Sequence, residues 1–364
     1  MISSFLSPDE LIRYSQQIKL AEIGLSGQEK LKNARVLCVG LGGLGSPLVL
    51  YLAAAGVGTL GMVDDDIVEL SNLQRQILYR LPQVTQQKAV AAKEQLLALN
   101  PTIQVNSYSE KLTENNAEEL ISQYDIIADG SDNFYTRYLI HDVCFKLEKP
   151  YVYASACQFQ GHCSIFYGNN GPCFRCLFPN PPSSHNSPNC DAGGVLGVLP
   201  GMLGIIQATE IIKWILKIGN SLEKRLLIID LLTMGFKEIR LSQNPDCPLC
   251  VHHQPLNTLI NPKNCQQDID LNNHSITREQ LSKLLEQNSN TTLIDVRTAP
   301  EHQDYNIGGI LIPLKELPYR LKELDANTPI ILYCHSGKRS VLALQILLEA
   351  GFSSVQFLIN GITA

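Results

Sequence analysis

Five groups of residues in this chain of 364 could do chemistry. The first is Gly40, Gly42 and Gly45 in VLCVGLGGLGSPL, spaced G-x-G-x-x-G with Gly43 between them. Four apolar residues run into the glycines, which predicts a strand, a tight turn and a helix whose first amides face phosphate oxygens. Asp64 follows about twenty residues on, where dinucleotide sites read a ribose hydroxyl. The loop alone specifies only phosphates against a helix start, which NAD and ATP satisfy equally.

The second group is the run MVDDDIVELSNLQRQIL from Met62, with Lys88 and Asp132 beyond it. A hydride-transfer cofactor needs one acid here; this run has three, followed by Asn72, Arg75 and Gln76. Carboxylates hold ribose or magnesium, and Asn and Arg bind phosphate oxygens. Lys88, opening the next helix, reaches a triphosphate. Asp132, after another strand, faces the glycine loop as a magnesium ligand. Read singly, each residue fits a solvated turn or a cap. The set suits attack on an α-phosphate with release of pyrophosphate.

The other three groups are thiols. Cys173-x-x-Cys176 and Cys247-x-x-Cys250 match a tetrathiolate zinc site, structural because protein fills all four positions. Cys190 lies in the Pro/Ser/Asn-rich stretch FPNPPSSHNSPNCDAGG, which reads as a mobile loop. An exposed thiol there becomes a nucleophile if it is delivered to an activated carbonyl. Cys334, in CHSGKRS between a strand and a helix, has amides, a helix N-terminus and Arg339 around its sulfur. That surrounding lowers a thiol pKa and favours a persulfide. Four residues separate Cys334 from Arg339, one fewer than in phosphatase loops, so the cradle fits sulfur better than phosphate.

These residues must be held by alternating strands and helices. The strands are ARVLCVG, GTLGMVD, TIQVNSY, YDIIADG and PYVYASA. The helices are SPLVLYLAAAG, KAVAAKEQLLALN and FYTRYLIHDVCFKLE. This alternation predicts an α/β fold, a Rossmann-like and largely parallel sheet with helices on both faces. The apolar stretch from Val195 contains Pro200 and Glu210, so it reads as a turn and a buried core helix rather than a membrane span. RLLIIDLL and FKEIRLS read as antiparallel strands. An Asn/Gln-rich linker is predicted at 252–273, separating a domain at 1–251 from a small α/β domain at 274–364.

Bulk properties agree. Hydrophobic residues make up 45% and charged residues 18%, an ordinary globular balance, and the net charge of -6 argues against nucleic acid. The N-terminal stretch is not a secretory signal, so a cytoplasmic protein with no membrane partner is expected. There, eleven cysteines point to metal or sulfur chemistry rather than disulfides.

Residues 10–251 resemble the MoeB/ThiF family, relatives of ubiquitin-activating enzymes. The resemblance rests on Arg13-Tyr14, the Gly40–Gly45 loop, Asp64 to Asp66, the run Leu70 to Gln76, Lys88, Ser131 to Asn133 and both C-x-x-C pairs. Residues 275–364 resemble a rhodanese domain, through Asp295-Val-Arg297, Glu301, Gly308-Gly309 and the Cys334 loop. The order is that of fused adenylyltransferase–sulfurtransferases. The resemblance implies that Asp64 holds the ribose, Arg75 and Lys88 the phosphates and Asp132 the magnesium, with Asn72 and Gln76 lining the same site. It implies a thioester or acyl-disulfide at Cys190 and a persulfide at Cys334.

It also implies the reaction: ATP activates the C-terminal Gly-Gly of a ubiquitin-like sulfur carrier, and sulfur transfer makes the thiocarboxylate for molybdopterin, thiamine or a related pathway. A cysteine desulfurase or another persulfide donor loads Cys334, and the enzyme is a homodimer. An arginine of one subunit, from the motif R-Y-x-R-Q, reaches the other's phosphates; this chain has Gln16 at its second arginine. The alternatives are a dehydrogenase, a carrier-binding scaffold without adenylation, and adenylation of a different carboxylate.

Overall fold

In a computed structural model of the chain, residues 6–168, 171–179, 194–254, 271, 273–286, 291–326 and 328–363 are described. They form two compact units, the first containing the described residues up to 254 and the second those from 271 on. Most of the 252–273 linker lies outside the described residues.

The first unit is built on an eight-stranded sheet in the order β3-β2-β1-β4-β5-β6-β7-β8. Strands β1 (Arg35–Val39), β2 (Thr59–Val63), β3 (Gln104–Tyr108), β4 (Ile126–Asp129) and β5 (Tyr151–Cys157) are parallel. Val36 is in register with Leu60 on one side and Ile126 on the other, so β1 is central and its last four residues are buried. A strand covered on both faces reads as the continuous apolar run seen here. Strands β6 (Gln160–Phe166), β7 (Arg225–Asp230) and β8 (Gly235–Arg240) extend the sheet antiparallel. β6 has no counterpart among the elements predicted from sequence, because QGHCSIF starts on Gln, Gly and His and lacks a clear apolar alternation. The short N-terminal helices Pro8–Arg13, Ser15–Ile18 and Gly24–Asn33 were likewise not predicted.

The Val198–Leu216 helix is, among the described residues, the one helix long and apolar enough to cross a membrane by length and composition. It packs against the Gly45–Ala55 helix and against β5 and β6. The Gln207 side-chain amide donates to the carbonyls of Asp129 and Val152 at 2.8 and 3.0 Å, which staples the helix to the sheet. This is the core helix predicted, with Pro200 in its first turn where a missing N–H costs little.

The second unit is an all-parallel five-stranded sheet, ordered β11-β10-β12-β13-β9. Its strands are β9 (Ser275–Ile276), β10 (Thr292–Asp295), β11 (Ile310–Leu311), β12 (Ile330–Tyr333) and β13 (Val355–Leu358). The Arg278–Glu286 and Lys338–Glu349 helices are those predicted; two-residue strands such as β9 and β11 are too short for any periodicity to show.

Candidate functional site

The order of strands in the first sheet reverses between β1 and β4, and α/β sheets bind ligands at the carboxyl ends of such a pair. The glycine loop lies there. The Gly45–Ala55 helix begins on its last glycine. Gly40 has φ +89°, and a Cβ on it would lie 2.7 Å from the backbone of Gly130, just past β4. A Cβ on Gly45 would overlap the Gly40 carbonyl oxygen. The loop therefore closes on the β4 end only because these positions lack side chains.

Around this loop the structure gathers most of the residues singled out from sequence. A Cβ on Gly42 would lie 3.7 Å from Gln76 Nε2, and one on Gly43 would lie 3.6 Å from Arg75 Cγ, so both side chains overlie the loop. Gln76 is 3% exposed and its Oε1 has no protein partner. Asn72 shapes the Leu70–Asn72 turn, its Oδ1 accepting from the Glu69 amide at 3.1 Å. Asp64 Oδ2 accepts from the Leu41 amide at 2.7 Å, fixing the loop to the end of β2. Burial pushes the Asp64 carboxyl up, against the charge of Lys88 and the amides of Leu41 and Asp66. Lys88 opens its helix as predicted and is 5% exposed; its Nζ donates to Asp66 at 2.7 Å. Asp132 is exposed and follows Ser131, whose amide nitrogen would lie 2.8 Å from a Gly40 Cβ.

Sequence reasoning missed the support beneath. Asp129 is fully buried; it accepts from the Ser131 hydroxyl and the Tyr151 hydroxyl, each at 2.6 Å. Arg137 Nη2 donates to the Ser131 carbonyl at 3.1 Å, holding the loop that carries Asp132. A buried acid ending a strand beside GSDN was the only signal available.

The four cysteines of the C-x-x-C pairs come together, their sulfurs all within 4.8 Å of one another. Cys173 lies 3.9 Å from Cys176 and 3.5 Å from Cys247, and Cys176 lies 3.4 Å from Cys250. Zinc–sulfur bonds of about 2.3 Å in a tetrahedron require sulfurs about 3.8 Å apart, so the donor set fits zinc. Burial and the neighbouring thiols push Cys173 up and burial pushes Cys250 up to about 11, whereas at Cys247 hydrogen bonds from Cys250, Leu249 and Cys173 outweigh burial and pull the thiol down. Behind the pair, Arg175 reaches Asp142 with Nε at 2.9 Å and Nη2 at 2.6 Å. His141 Nδ1 lies 2.9 Å from Asp142, and its Nε2 accepts from the Phe174 amide at 3.1 Å. Both acid and base are buried, so the Cys173–Cys176 turn is clamped to the Phe134–Lys146 helix.

In the second unit, Cys334 follows the central strand β12 and is 1% exposed, while His335 and Ser336 beside it are exposed. The Lys338–Glu349 helix starts four residues on, and a Cβ on Gly361 would overlap the carbonyls of His335 and Cys334. Arg339 grips Glu301 with Nη1 at 2.8 Å and Nη2 at 2.7 Å. Asp295, buried at the end of β10, takes Arg297 at 2.7 Å and His302 at 2.8 Å. Cys190 lies outside the described residues. The nine cysteines that are described are all free of disulfides.

Comparison with known proteins follows the same division. The ThiF family profile matches residues 14–249, and the rhodanese-like domain profile matches residues 277–364. The chain is 39% identical, over all of its length and 94% of the relative's, to the probable adenylyltransferase/sulfurtransferase MoeZ of Mycobacterium tuberculosis. It is 35% identical, over 99% of its length and 84% of the relative's, to the adenylyltransferase and sulfurtransferase MOCS3 of Arabidopsis thaliana. The sulfur carrier protein adenylyltransferase of Thermus thermophilus is 46% identical over 66% of this chain and 91% of its own. Among solved structures, E. coli MccB with MccA-N7isoASN superposes with a TM-score of 0.59 at 21% identity, over 68% of this chain and 76% of MccB, a likeness of fold alone.

Proposed function

The chain belongs to the ThiF family and carries a rhodanese-like domain behind it; on that premise we propose that it adenylates the C-terminal Gly-Gly of a ubiquitin-like sulfur carrier and converts the product to a thiocarboxylate. The carrying observation is that one chain holds both parts. Arg75 and Gln76 overlie the glycine loop at the sheet's switch point, and Cys334 directly follows the central strand of a second sheet.

The carrier's terminal carboxylate attacks the α-phosphorus of ATP, the bond to the β-phosphate breaks, and pyrophosphate leaves. The loop amides and Gln76 hold the phosphates, and Arg75 and Lys88 meet the charge that moves onto the leaving group. Asp64 takes the ribose. Asp132 would hold the magnesium that accompanies ATP. A zinc ion on Cys173, Cys176, Cys247 and Cys250 would supply a structural tie between two chain segments 74 residues apart.

The Cys334 thiolate attacks the outer sulfur of a donor persulfide, from a cysteine desulfurase or a similar protein, and the donor thiolate leaves. The transferred sulfur attacks the acyl carbon and AMP leaves, giving an acyl disulfide on Cys334. A second thiolate, proposed to be Cys190 on its sequence alone, attacks the Cys334 sulfur and releases the thiocarboxylate. A dithiol reductant returns the resulting disulfide to thiols. The chain acts as a homodimer in the cytoplasm: the outer stripe of the Val198–Leu216 helix, with Val198 and Ile205 exposed, is left for a second copy to cover. No nucleic acid or membrane takes part.

ATP–pyrophosphate exchange with carriers ending in Gly-Gly tests the reading. Exchange dependent on the carrier is expected; nicotinamide binding without exchange would return it to a dehydrogenase.

A further inference from the structure

Two guanidinium groups near the Cys334 loop are held by carboxylates. Arg297 is bidentate on buried Asp295, with Nε at 2.9 Å and Nη2 at 2.7 Å, and lies over the Tyr333 ring with its carbon 5.6 Å from the centroid. Arg339, second residue of the helix that follows the loop, places one nitrogen on each oxygen of Glu301. Glu301 is itself fixed: its Oε2 also accepts from the Thr298 amide at 3.0 Å and the Thr298 hydroxyl at 2.7 Å, the cap of the Ala299–Asp304 helix. The carboxylate thus presents Arg339 in one orientation, from a helix 38 residues away in sequence.

Resting on the reading of Cys334 as the sulfur acceptor, we propose that Glu301 is a positioning residue for sulfur transfer: it fixes the Arg339 guanidinium beside the sulfur loop and tempers its positive potential there. A free arginine next to the thiol would favour the thiolate strongly and make a poorer nucleophile of it. The carboxylate sets the compromise between ionised fraction and nucleophilicity. The charged and titratable groups around the loop are His335, Lys338 and Arg339 on the loop and its helix; Asp295, Arg297, Glu301 and His302 on the segment after β10; and Arg278, whose Nη1 reaches the Ile362 carbonyl at 3.4 Å. Arg339, on the first turn of the helix that follows the loop, carries the charge that Glu301 pairs, and that charge holds Glu301 well below the usual carboxylate range.

The test is the pH profile of Cys334 alkylation by iodoacetamide in the full chain, read by mass spectrometry on the peptide that contains it. Glu301→Gln keeps a hydrogen-bond acceptor and removes the charge, so the midpoint is expected to fall by about half to one pH unit, with about three- to tenfold more thiolate near neutrality. Arg339→Gln is expected to raise the midpoint by a similar amount, and the double variant to sit between the two. A midpoint in Glu301→Gln that equals the wild type's, or that rises as in Arg339→Gln, overturns the proposal. Wild-type Cys334 that takes no sulfur from a persulfide donor would remove the underlying reading instead, and the alkylation midpoints keep the two failures apart.

Discussion

At the scale of single residues, the nucleotide end of the molecule is set by which charges are held and by what. Lys88 Nζ is bound to Asp66, whose side chain is largely exposed, so the buried lysine is anchored from the solvent side, and its proposed role on the phosphates can be separated from this pair. Lys88→Ala is expected to lower carrier-dependent pyrophosphate exchange about 10²-fold, as losing a positioned charge at a leaving phosphate does. Asp66→Asn should change exchange by no more than about threefold, since an exposed partner contributes little. Equal losses in the two variants would show the pair to be structural.

Asp295 gives a residue-scale prediction about pH. Burial alone would push its carboxyl up, but the hydrogen bonds from Arg297 and His302 outweigh burial and hold it below the usual range. A folded pKa below the unfolded one gives stability that is full above about pH 4 and is lost as pH falls toward the folded value. Melting curves of the full chain should therefore show the second unit losing stability in that acid window. Asp295→Asn should remove that dependence and cost about 3–5 kcal/mol, because Arg297 stays buried without its partner. An acid limb unchanged in Asp295→Asn would assign it to another carboxylate.

At the scale of elements, the sequence shows what repeats or alternates and hides what is paired across space. The glycine loop, its strand and its helix are legible because an apolar run, tight glycines and a helix start are all local. Both C-x-x-C pairs are legible for the same reason. The partners that hold these elements are not: Lys88 meets Asp66 across 22 residues, Arg175 meets Asp142 across 33, and Arg339 meets Glu301 across 38. β6 was missed because its pairing with β5 and β7, not its own residues, makes it a strand. Arg175, between Cys173 and Cys176 of the thiol cluster, shows what such hidden pairing does. Arg175→Met should cost about 3–5 kcal/mol by leaving Asp142 charged and buried, and should weaken zinc retention about 10- to 100-fold against a chelator. Cys247→Ser should abolish zinc retention. Wild-type zinc content after dialysis of Arg175→Met against the chelator would mean that the clamp does not orient the cysteines.

At the scale of the whole molecule, the two units have separate sheets and separate cores, so their chemistries should be separable by substitution. Cys334→Ala is expected to stop thiocarboxylate formation from a persulfide donor while pyrophosphate exchange continues at the wild-type rate. Thiocarboxylate formed at the wild-type rate would mean that sulfur reaches the acyl-adenylate by another thiol. The remaining whole-molecule question is whether a second copy of the chain contributes to the proposed phosphate site. Arg13 is committed to its own subunit, its Nη1 donating to the Leu99 carbonyl at 3.0 Å, at the far end of the helix that Lys88 opens. Gln16 is exposed, and its amide donates hydrogen bonds but carries no charge. If a residue at this position reaches the partner's phosphates, Gln16→Arg should raise pyrophosphate exchange about tenfold or more, as an added cation at a developing phosphate charge does. The gain should vanish when the chain is diluted to monomer, because a charge supplied within one subunit would survive dilution. Exchange unchanged by Gln16→Arg at every concentration would show that the phosphate site is complete within one chain.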